Sequence, residues 1–521
     1  MNQRPRFLRV ALESSLVLAL VCATLALSSR GVGVTWDECT YFLFSDSVNH
    51  WLDEGHQFDQ PTLDRYWNYD GFLNPHPPLM KVASAFAVRI LGKILDFPLS
   101  YRLAHHAFAA LCLAIVYALL RRETSCFRAA SAIAIILLQP RLFGDLMIAT
   151  TDGPVAMAWV VAAIASWRIA VADDDRDRAY LRLIVLVMTA IAAATKFTGL
   201  LLVLPLGLYH LLGGRIREAI WTSVAAFTGL CAAVLVSPDK WRSPATAALQ
   251  YLTYPFMRES IPIYTFYLGE VYPFHLPWHY FDFMTAITVP PALWLFLFGW
   301  RNIPPALRGA AQSCGVSLAF WIVLMHLPNT PRHDGVREFL SVFPLLGILF
   351  WAGLQGVARR IEETSYREPR GKWASVLGTT AGIALALITF LSHPHELSYY
   401  NGLIGGIRGA EQAGMETTYF LESIGPAMLR AIDANVAKGR SLYMAPSWME
   451  LLQLYRQHGM LRSDFVLLPM LTNVRPDYFL IVRRRALIDD DWYVRQPAIY
   501  EVSYEGVSLA KLVDGARSTP Q

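Results

Sequence analysis

The chain has 521 residues, of which 54% are hydrophobic and only 17% are charged, with a formal net charge of +4 at pH 7. Soluble proteins carry about 25% charged residues, so this composition excludes an ordinary soluble domain and indicates a membrane protein. The small, dispersed positive charge argues against a nucleic-acid partner. The six cysteines lie mostly in apolar runs and indicate no disulfide framework.

Apolar runs of about 20 residues, each long enough to cross a bilayer, recur along the first three quarters of the chain. The first run follows the basic start MNQRPRFLRV. A secretory signal is the alternative there, but the long apolar region and the later runs favour a membrane anchor. The pattern predicts eleven spans, at residues 8–28, 101–120, 129–148, 154–172, 181–195, 197–212, 218–237, 283–300, 312–327, 338–357 and 373–391.

The charges between these runs predict the side of the membrane on which each loop lies. Segments rich in Arg or Lys, such as RRETSCFR at 121–128, alternate with segments that are not, and basic loops are typical of the cytoplasmic side. We therefore predict a protein of the cell (inner) membrane with a cytoplasmic N-terminus. Residues 29–100 and 238–282 become the main outer loops.

Residues 77–95, PPLMKVASAFAVRILGKIL, are apolar enough to be taken for another span. A crossing there would move RRETSCFR to the outside, against the charge rule. Lys81, Arg89 and Lys93 also make the segment amphipathic. We expect a helix that lies at the outer interface.

The last part of the chain has a different pattern. SLYMAPSWMELLQLY predicts a strand followed by a helix, and DYFLIVRRR and AIYEVSYEGVSLAKLV alternate as strands do. We predict two domains. Residues 1–392 form a polytopic helical membrane domain with catalytic outer loops, and residues 393–521 form a small extracytoplasmic α/β domain.

The stretch GVTWDECTYFLFSD at 33–46 places Asp37 and Glu38 side by side just after the first span. Such acids can simply cap a helix or solvate an interface. Other ionisable groups predicted on the same outer side favour a functional site instead, because charges near membrane depth are costly. These groups are His76 and Lys81 in HPPLMK, Asp145 and Asp152 in RLFGDLMIATTDGP, Lys196 in AAATKFTG, and Arg332, His333, Asp334, Arg337 and Glu338 in PRHDGVREFL.

Each of these groups also has an ordinary structural explanation. The segment around His76 and Lys81 reads as a plain helix start, Asp152 as an N-cap, and Lys196 as a side chain that reaches toward lipid phosphate. The aromatic residues of the 238–282 loop, Trp278 and Tyr280 among them, fit an interfacial belt.

Transfer of a sugar from a lipid phosphate would use all of these groups. A carboxylate has to accept the proton of the attacking hydroxyl, and cations have to hold the departing phosphate. Aromatic and polar groups have to hold the sugar.

The acidic pair after the first span, the HPPL box, the Asp-x-Pro that opens a later span and DGVREFL together resemble the GT-C glycosyltransferases. The similarity is greatest to the protein O-mannosyltransferases and the lipid A aminoarabinose transferase, especially the bacterial branch of that family. HELSYYNGLIGGIRGA at 395–410, which contains Asn401, is similar to a segment that begins the outer C-terminal part in that branch.

The resemblance implies a GT-C helical bundle that transfers a sugar, with inversion, from a polyprenyl- or dolichyl-phosphate donor on the extracytoplasmic face. It implies Asp37 as the catalytic base, with Glu38 beside it. The expected donor-binding residues are His76, Lys81, Asp152, Lys196, Arg332 and Arg337, and weaker candidates for acceptor or sugar contacts are Trp278, Tyr280 and Asn401. One departure is Glu338, which stands where the bacterial branch often has a histidine.

The expected partners are the polyprenyl-phosphate sugar donor, the lipid bilayer, and a glycan, lipid or protein acceptor. We expect no essential cofactor, although Asp37, Glu38 and His76 are candidate ligands for a divalent cation. Two other functions remain as alternatives: a transporter or flippase of lipid-linked sugars, and a non-catalytic subunit of an envelope-assembly machine.

Overall fold

The computed structural model describes residues 4–68, 76–257, 262–364, 371–469 and 474–518. Residues 71–75 of the predicted segment GFLNPHPPLMK therefore lie outside the described residues. In chain order, the helices of the first part are α1 (Arg4–Ser28), α2 (Trp36–Asp53), α3 (Gln60–Tyr66), α4 (Leu79–Leu91), α5 (Leu99–Arg121), α6 (Cys126–Leu137), α7 (Pro140–Met147), α8 (Asp152–Val171), α9 (Asp175–Ala193), α10 (Val203–Leu212), α11 (Ile216–Leu235), α12 (Pro244–Met257), α13 (Tyr280–Thr288), α14 (Pro291–Trp294), α15 (Pro305–His326), α16 (Val342–Thr364) and α17 (Lys372–Ser392).

Short elements join these helices. An antiparallel hairpin of β1 (Thr265–Tyr267) and β2 (Glu270–Tyr272) precedes α13. The 3-10 helices of the described residues are Ser29–Gly31, Phe197–Leu202, Pro238–Lys240, Leu295–Asn302, Arg337–Phe339 and Glu396–Ser398.

Seven helices of the described chain are long and apolar enough to cross a membrane: α1, α5, α8, α11, α15, α16 and α17. Two bent pairs raise this number to nine if each pair is one span. The α6–α7 pair bends by 77°, and the pair formed by α13 with residues 291–302 bends by 104°. The multi-pass architecture is as predicted, and all eleven predicted spans are helical.

The count by length and composition is nonetheless lower than the eleven predicted. The spans predicted at 181–195 and 197–212 correspond to α9, which begins with the charged run DRDRAYLR, and to a shorter apolar stretch, Phe197–Leu212. The segment predicted as an interfacial helix contains α4, whose 13 residues are too few to cross a bilayer and which packs between α2 and α5.

Helices α8 and α16 lie at the centre of the bundle and are almost wholly buried, whereas α1 lies at its edge with its apolar side chains exposed. Both central helices are apolar on all faces, as a helix surrounded by other helices should be. Small residues allow close approach in α16: a Cβ on Gly353 would lie 2.1 Å from the carbonyl oxygen of Phe296.

The C-terminal part contains α18 (Gly406–Gln412), α19 (Pro426–Asn435), α20 (Met449–Gln457), α21 (Asp490–Arg495) and a five-stranded sheet in the order β4-β3-β5-β7-β6. Strand β3 pairs in parallel with β4 and β5, whereas β7 pairs antiparallel with β5 and β6. The predicted strands and helix are all present. Their bounds are β3 (Ser441–Ala445), β4 (Val466–Leu467), β5 (Tyr478–Val482), β6 (Ala498–Tyr504) and β7 (Val507–Asp514).

The sheet packs directly on the membrane part through α2. Val34, Cys39 and Phe42 share one apolar core with residues of the sheet such as Leu442 and Leu480. Helix α2 is thus held between the helical bundle and the α/β domain. The predicted boundary between residues 392 and 393 follows the end of α17 and stays a prediction.

Candidate active site

The first turn of α2 explains how the acidic pair is positioned. Thr35 is the N-cap: its hydroxyl accepts a hydrogen bond from the Glu38 backbone N–H at 3.2 Å, and the Glu38 carboxylate accepts one from the Thr35 N–H at 3.0 Å. This reciprocal capping box satisfies two backbone donors that a helix start leaves unpaired. Asp37 takes no part in it.

Glu38 is also tied to the bundle. The Arg102 guanidinium of α5 donates to both of its carboxylate oxygens, at 2.6 and 2.7 Å, and the Ala149 N–H donates to one of them at 2.8 Å. Both charged side chains are fully buried. These contacts favour a structural role for Glu38, and its predicted catalytic role beside Asp37 stays a prediction.

Asp37 contacts a different group of residues. Its Oδ2 lies 2.6 Å from Nη1 of Arg337, an arginine in the segment between α15 and α16. Arg337 also lies 3.5 Å from Asp152 at the start of α8 and 3.6 Å from Asp334. The predicted base and the predicted phosphate-binding arginine are therefore in direct contact.

Lys196 extends the cluster on the other side of Asp152. Its Nζ donates to Asp152 Oδ1 at 2.6 Å and to Glu338 Oε2 at 2.9 Å, and the three side chains are at most 8% exposed. His333 lies 3.2 Å from the other Glu338 oxygen. Glu338 thus connects a lysine and a histidine in the buried part of the site. We define Asp37, Asp152, Lys196, Asp334, Arg337 and Glu338 as the charged cluster.

Burial and the charge of Arg337 act in opposite directions on the pKa of Asp37. Its side chain is 25% exposed, yet the carboxyl is surrounded by protein, and burial raises its pKa above the ordinary value. The Arg337 guanidinium opposes this increase without cancelling it. Burial alone would raise the pKa of Asp334 too, but Arg484 and His333 bring that pKa well below its usual range.

Arg484 is a residue that the sequence analysis missed. It follows β5 in the α/β domain, is 1% exposed, and contacts Asp334 at 2.5 Å and Glu416 at 3.2 Å. Its guanidinium also lies 5.4 Å from the centre of the Trp36 ring. The only sequence signal was the run of three arginines that ends DYFLIVRRR. Through Arg484 the α/β domain reaches the charged cluster.

His76 and Lys81 lie near the charged cluster rather than in it. The Lys81 ammonium donates to the His76 carbonyl at 3.0 Å and lies over the rings of Tyr41, at 4.9 Å, and Phe44, at 5.4 Å. Burial lowers the pKa of Lys81 to about 7, and the charge of Asp37 counters this in part. Lys81 is therefore close enough to Asp37 to respond to its charge.

A cavity of about 830 Å³ opens beside the charged cluster. Lys196 and Glu338 contribute to its wall, and His76 lies at its edge as one of the lining residues. The remaining wall is mostly apolar and comes from the start of the Phe197–Leu202 segment, α11, α12 and the end of α15. One end of an apolar cavity is therefore formed by buried charges.

The other predicted residues do not join the charged cluster in the described contacts. Arg332 donates to the Trp278 carbonyl at 3.5 Å, and the Trp278 side chain is 69% exposed. The Tyr280 hydroxyl is hydrogen-bonded to both the N–H and the carbonyl of Gly335. Tyr280 thus supports the loop that carries Asp334, and its predicted contact with acceptor or sugar stays a prediction.

Asn401 likewise has a structural position. Its amide donates to the Ala286 and Val289 carbonyls at 2.7 and 2.6 Å, where α13 breaks before α14. Those carbonyls lose their helical partners at the break, and a buried carbonyl needs a donor. The predicted contact of Asn401 with acceptor or sugar is not part of this geometry.

Among the described residues, no group of three or more His, Cys, Asp and Glu side chains is arranged to hold a metal ion. Of the three candidate ligands, Glu38 is occupied by Arg102. Metal independence stays a prediction. Chemically, the charged cluster offers one partly exposed carboxylate and two buried cations at the end of an apolar cavity.

Comparisons with known proteins bear on the family and the fold of the chain. Residues 75–241, about a third of the chain, match the family model described as dolichyl-phosphate-mannose-protein mannosyltransferase. No curated protein sequence matches significantly. Two crystal structures of ArnT from Cupriavidus metallidurans are similar over nearly the whole chain.

The apo form of ArnT is 14% identical, with a TM-score of 0.49, and the match covers 98% of this chain and 100% of that chain. The form bound to undecaprenyl phosphate is 13% identical, with a TM-score of 0.51, and the match covers 97% and 99% of the two chains. At this identity the second match establishes the fold alone. Together with the family model it confirms the predicted resemblance and enzyme class: the chain is a multi-pass membrane glycosyltransferase with a GT-C fold.

Proposed function

We propose that this protein transfers a sugar from a polyprenyl-phosphate carrier to an acceptor hydroxyl on the extracytoplasmic face of the cell membrane. The proposed orientation has a cytoplasmic N-terminus and an extracytoplasmic α/β domain, as the loop charges predict. The observation that carries the proposal is the 2.6 Å contact of Asp37 with Arg337, in a charged cluster that also lines an apolar cavity.

In the proposed step, the acceptor hydroxyl oxygen attacks the anomeric carbon of the sugar from the face opposite the phosphate. The bond between that carbon and the phosphate oxygen breaks, and the polyprenyl phosphate leaves with the electron pair. The hydroxyl proton passes to the Asp37 carboxylate, which acts as the general base. The configuration at the anomeric carbon is inverted.

Arg337 and Lys196 are the proposed phosphate-binding groups. Both are held by carboxylates in the protein as described, so their charges are already fixed in place before a donor arrives. A preorganised cation stabilises the charge that develops on a leaving phosphate, and an arginine can contact two of its oxygens. Entry of the phosphate would release Asp37 from Arg337 and free its carboxylate for the proton.

The apolar cavity is the proposed site of the polyprenyl chain near the phosphate. Its wall includes Phe197, Tyr251 and Tyr254, and the buried ammonium of Lys196 stands at the same wall. An isoprenoid chain gains free energy by leaving water for such a surface. The ArnT structure with a similar fold contains undecaprenyl phosphate, which is the same class of carrier.

The test uses the purified full-length protein in proteoliposomes that contain undecaprenyl phosphate linked to a radiolabelled sugar. Donors with hexoses and pentoses are tried, each with an alkyl glycoside as acceptor. We expect release of undecaprenyl phosphate together with a labelled glycoside of inverted configuration. Movement of intact labelled lipid between leaflets, with no bond broken, would instead establish a flippase and defeat the proposal.

A further inference from the structure

A second cavity, of about 680 Å³, lies in the α/β domain. Its walls carry a concentration of aromatic side chains together with one guanidinium group. They include Trp36, Tyr443, Trp448, Phe479, Trp492 and Arg475. It shares no lining residue with the apolar cavity beside Lys196.

The topology of the sheet explains why a cavity forms here. Strand β3 is followed by β4 on one side of it and later by β5 on its other side, both parallel to it. Chain connections leave in opposite directions at such a point, and ligands of open α/β sheets bind outside the carboxyl ends of the strands there. Ala445 at the end of β3 and the next three residues, Pro446 to Trp448, line the cavity, as do Leu487 and Ile488 after β5.

The floor of this aromatic cavity is one face of the sheet. Tyr443 on β3 is directly opposite Phe479 on β5, with their ring centres 6.1 Å apart. Trp492 of α21 packs against Phe479 at 6.3 Å. The alternate residues of the same strands, Leu442 and Leu480, point into the apolar core on the opposite face.

Trp36 and Arg484 link the aromatic cavity to the charged cluster. Trp36, which lies in the cavity wall 6.1 Å from Trp448, directly precedes Asp37 on α2. The guanidinium of Arg484 lies over the Trp36 ring, and Arg484 pairs with Asp334. The apolar cavity reaches the same charged cluster through different residues, Lys196 and Glu338. A transferase with two substrates needs a site for each of them near the reacting groups.

The chemistry of the wall suits a saccharide better than a lipid chain. A sugar ring has an apolar C–H face that packs on indole rings, and its edge carries hydroxyls that need hydrogen-bond partners. The lining residues also include Tyr443, Ser447 and Arg475, which carry hydroxyl and guanidinium groups. A polyprenyl chain is a hydrocarbon and forms no hydrogen bonds with these polar groups.

We propose that the aromatic cavity binds the acceptor, and that the acceptor is a saccharide whose hydroxyl reaches Asp37 past Trp36. The identification of the bound saccharide as acceptor rests on the proposed function. The binding itself does not, because it requires no donor and no catalysis.

The experiment measures binding of the purified full-length protein, in detergent, to an array of fluorescently labelled mono- and oligosaccharides, without donor. The variants are Trp448→Leu, which removes one aromatic wall, and Tyr443→Phe, which removes one hydroxyl and leaves the strand unchanged. The matched control is Trp373→Leu, another half-buried tryptophan, which stands at the start of α17 and lines neither cavity.

We expect Trp448→Leu to weaken binding of the best saccharide by about tenfold or more, with a smaller loss for Tyr443→Phe and none for the control. Equal binding by Trp448→Leu and the wild type, or no saccharide binding by the wild type, would overturn the proposal. So would a serine peptide or a lipid that binds in place of saccharides and depends on Trp448.

A parallel assay of sugar release from the undecaprenyl-phosphate donor separates the two proposals. If no donor is cleaved but Trp448-dependent saccharide binding is present, the proposed function is wrong and the saccharide site stands. If the donor is cleaved and the array stays empty, the saccharide site is wrong and the glycosyltransferase stands.

Discussion

Asp37 and Glu38 are neighbours on the first turn of α2, yet they belong to two different ion-pair networks. Glu38 and Arg102 are both fully buried, and the carboxylate is satisfied by an arginine and two backbone N–H groups. Asp37 is paired with Arg337 alone among its described ion-pair contacts and is 25% exposed. The first network is closed and holds α2 in place, whereas we propose that the second exchanges its partner for a substrate.

If the proposed function holds, the number of partners distinguishes the structural acid from the reactive one. An acid whose oxygens are all used gains nothing by releasing them. An acid with one cationic partner can release it when an incoming phosphate takes over the pairing with that cation. Substitutions in the closed network and in the open network test this difference.

The largest effect is expected from Asp37→Asn. The amide cannot accept the acceptor proton, and loss of a general base lowers the transfer rate by about 10²- to 10⁴-fold. Labelled product from the undecaprenyl-phosphate donor measures the rate, and the melting temperature in detergent verifies folding. Wild-type transfer by a folded Asp37→Asn protein would remove Asp37 from the mechanism.

Glu38→Gln should lower the stability of the protein and leave the transfer rate of the folded molecules nearly unchanged. It leaves the buried Arg102 without its anionic partner, and breaking such a pair costs about 3–5 kcal/mol. We expect a lower melting temperature and less inserted protein, with transfer per folded molecule nearly retained. Loss of transfer with unchanged melting temperature would return Glu38 to the reacting groups and erase the distinction between the two networks.

Arg337→Gln is expected to change the pH dependence of the transfer rate. Arg337 lowers the pKa of Asp37, which burial raises. Without the guanidinium that pKa rises further, and the base is active only when deprotonated, so the acidic limb of the pH–rate profile moves to higher pH. The ratio kcat/KM for the donor, measured across the pH range, gives the limb of the free enzyme, in which Arg337 contacts Asp37.

The control for this shift is Arg332→Gln, in the same segment, because Arg332 has no ion pair with Asp37 among the described contacts. Its acidic limb should coincide with that of the wild type. Equal limbs in all three proteins would mean that Asp37 is not the group that titrates.

The sequence was sufficient for the class of fold and for most of the charged cluster. Long apolar runs predict spans whatever their neighbours are, and the costly charges at their ends pointed to Asp37, Asp152, Lys196 and Arg337. These groups come from four separate segments, and the structure brings them together. Their contacts with one another depend on helix packing, which no local pattern encodes.

Two parts of the site illustrate what sequence reasoning could and could not have found. Thr35, three residues before Glu38, completes the T-x-x-E pattern of a capping box and could have identified Glu38 as a structural acid. Arg102 and Arg484, in contrast, reach their partners over 64 and 150 residues of chain. Nothing in the runs around either arginine specifies such a partner.

The smallest effect is expected at Trp278, a predicted acceptor contact whose side chain is 69% exposed. An exposed side chain that fills no pocket changes stability by at most about 0.5 kcal/mol when removed. We expect Trp278→Ala to retain both its melting temperature and its transfer rate.

Two residues further on, Tyr280→Phe removes the hydroxyl that binds both backbone groups of Gly335 and so loosens the segment between Asp334 and Arg337. Tyr280→Phe should therefore reduce transfer while Trp278→Ala does not. Trp278 makes no contact in the closed network. If Trp278→Ala lost transfer at an unchanged melting temperature, this exposed surface would instead belong to the reactive network.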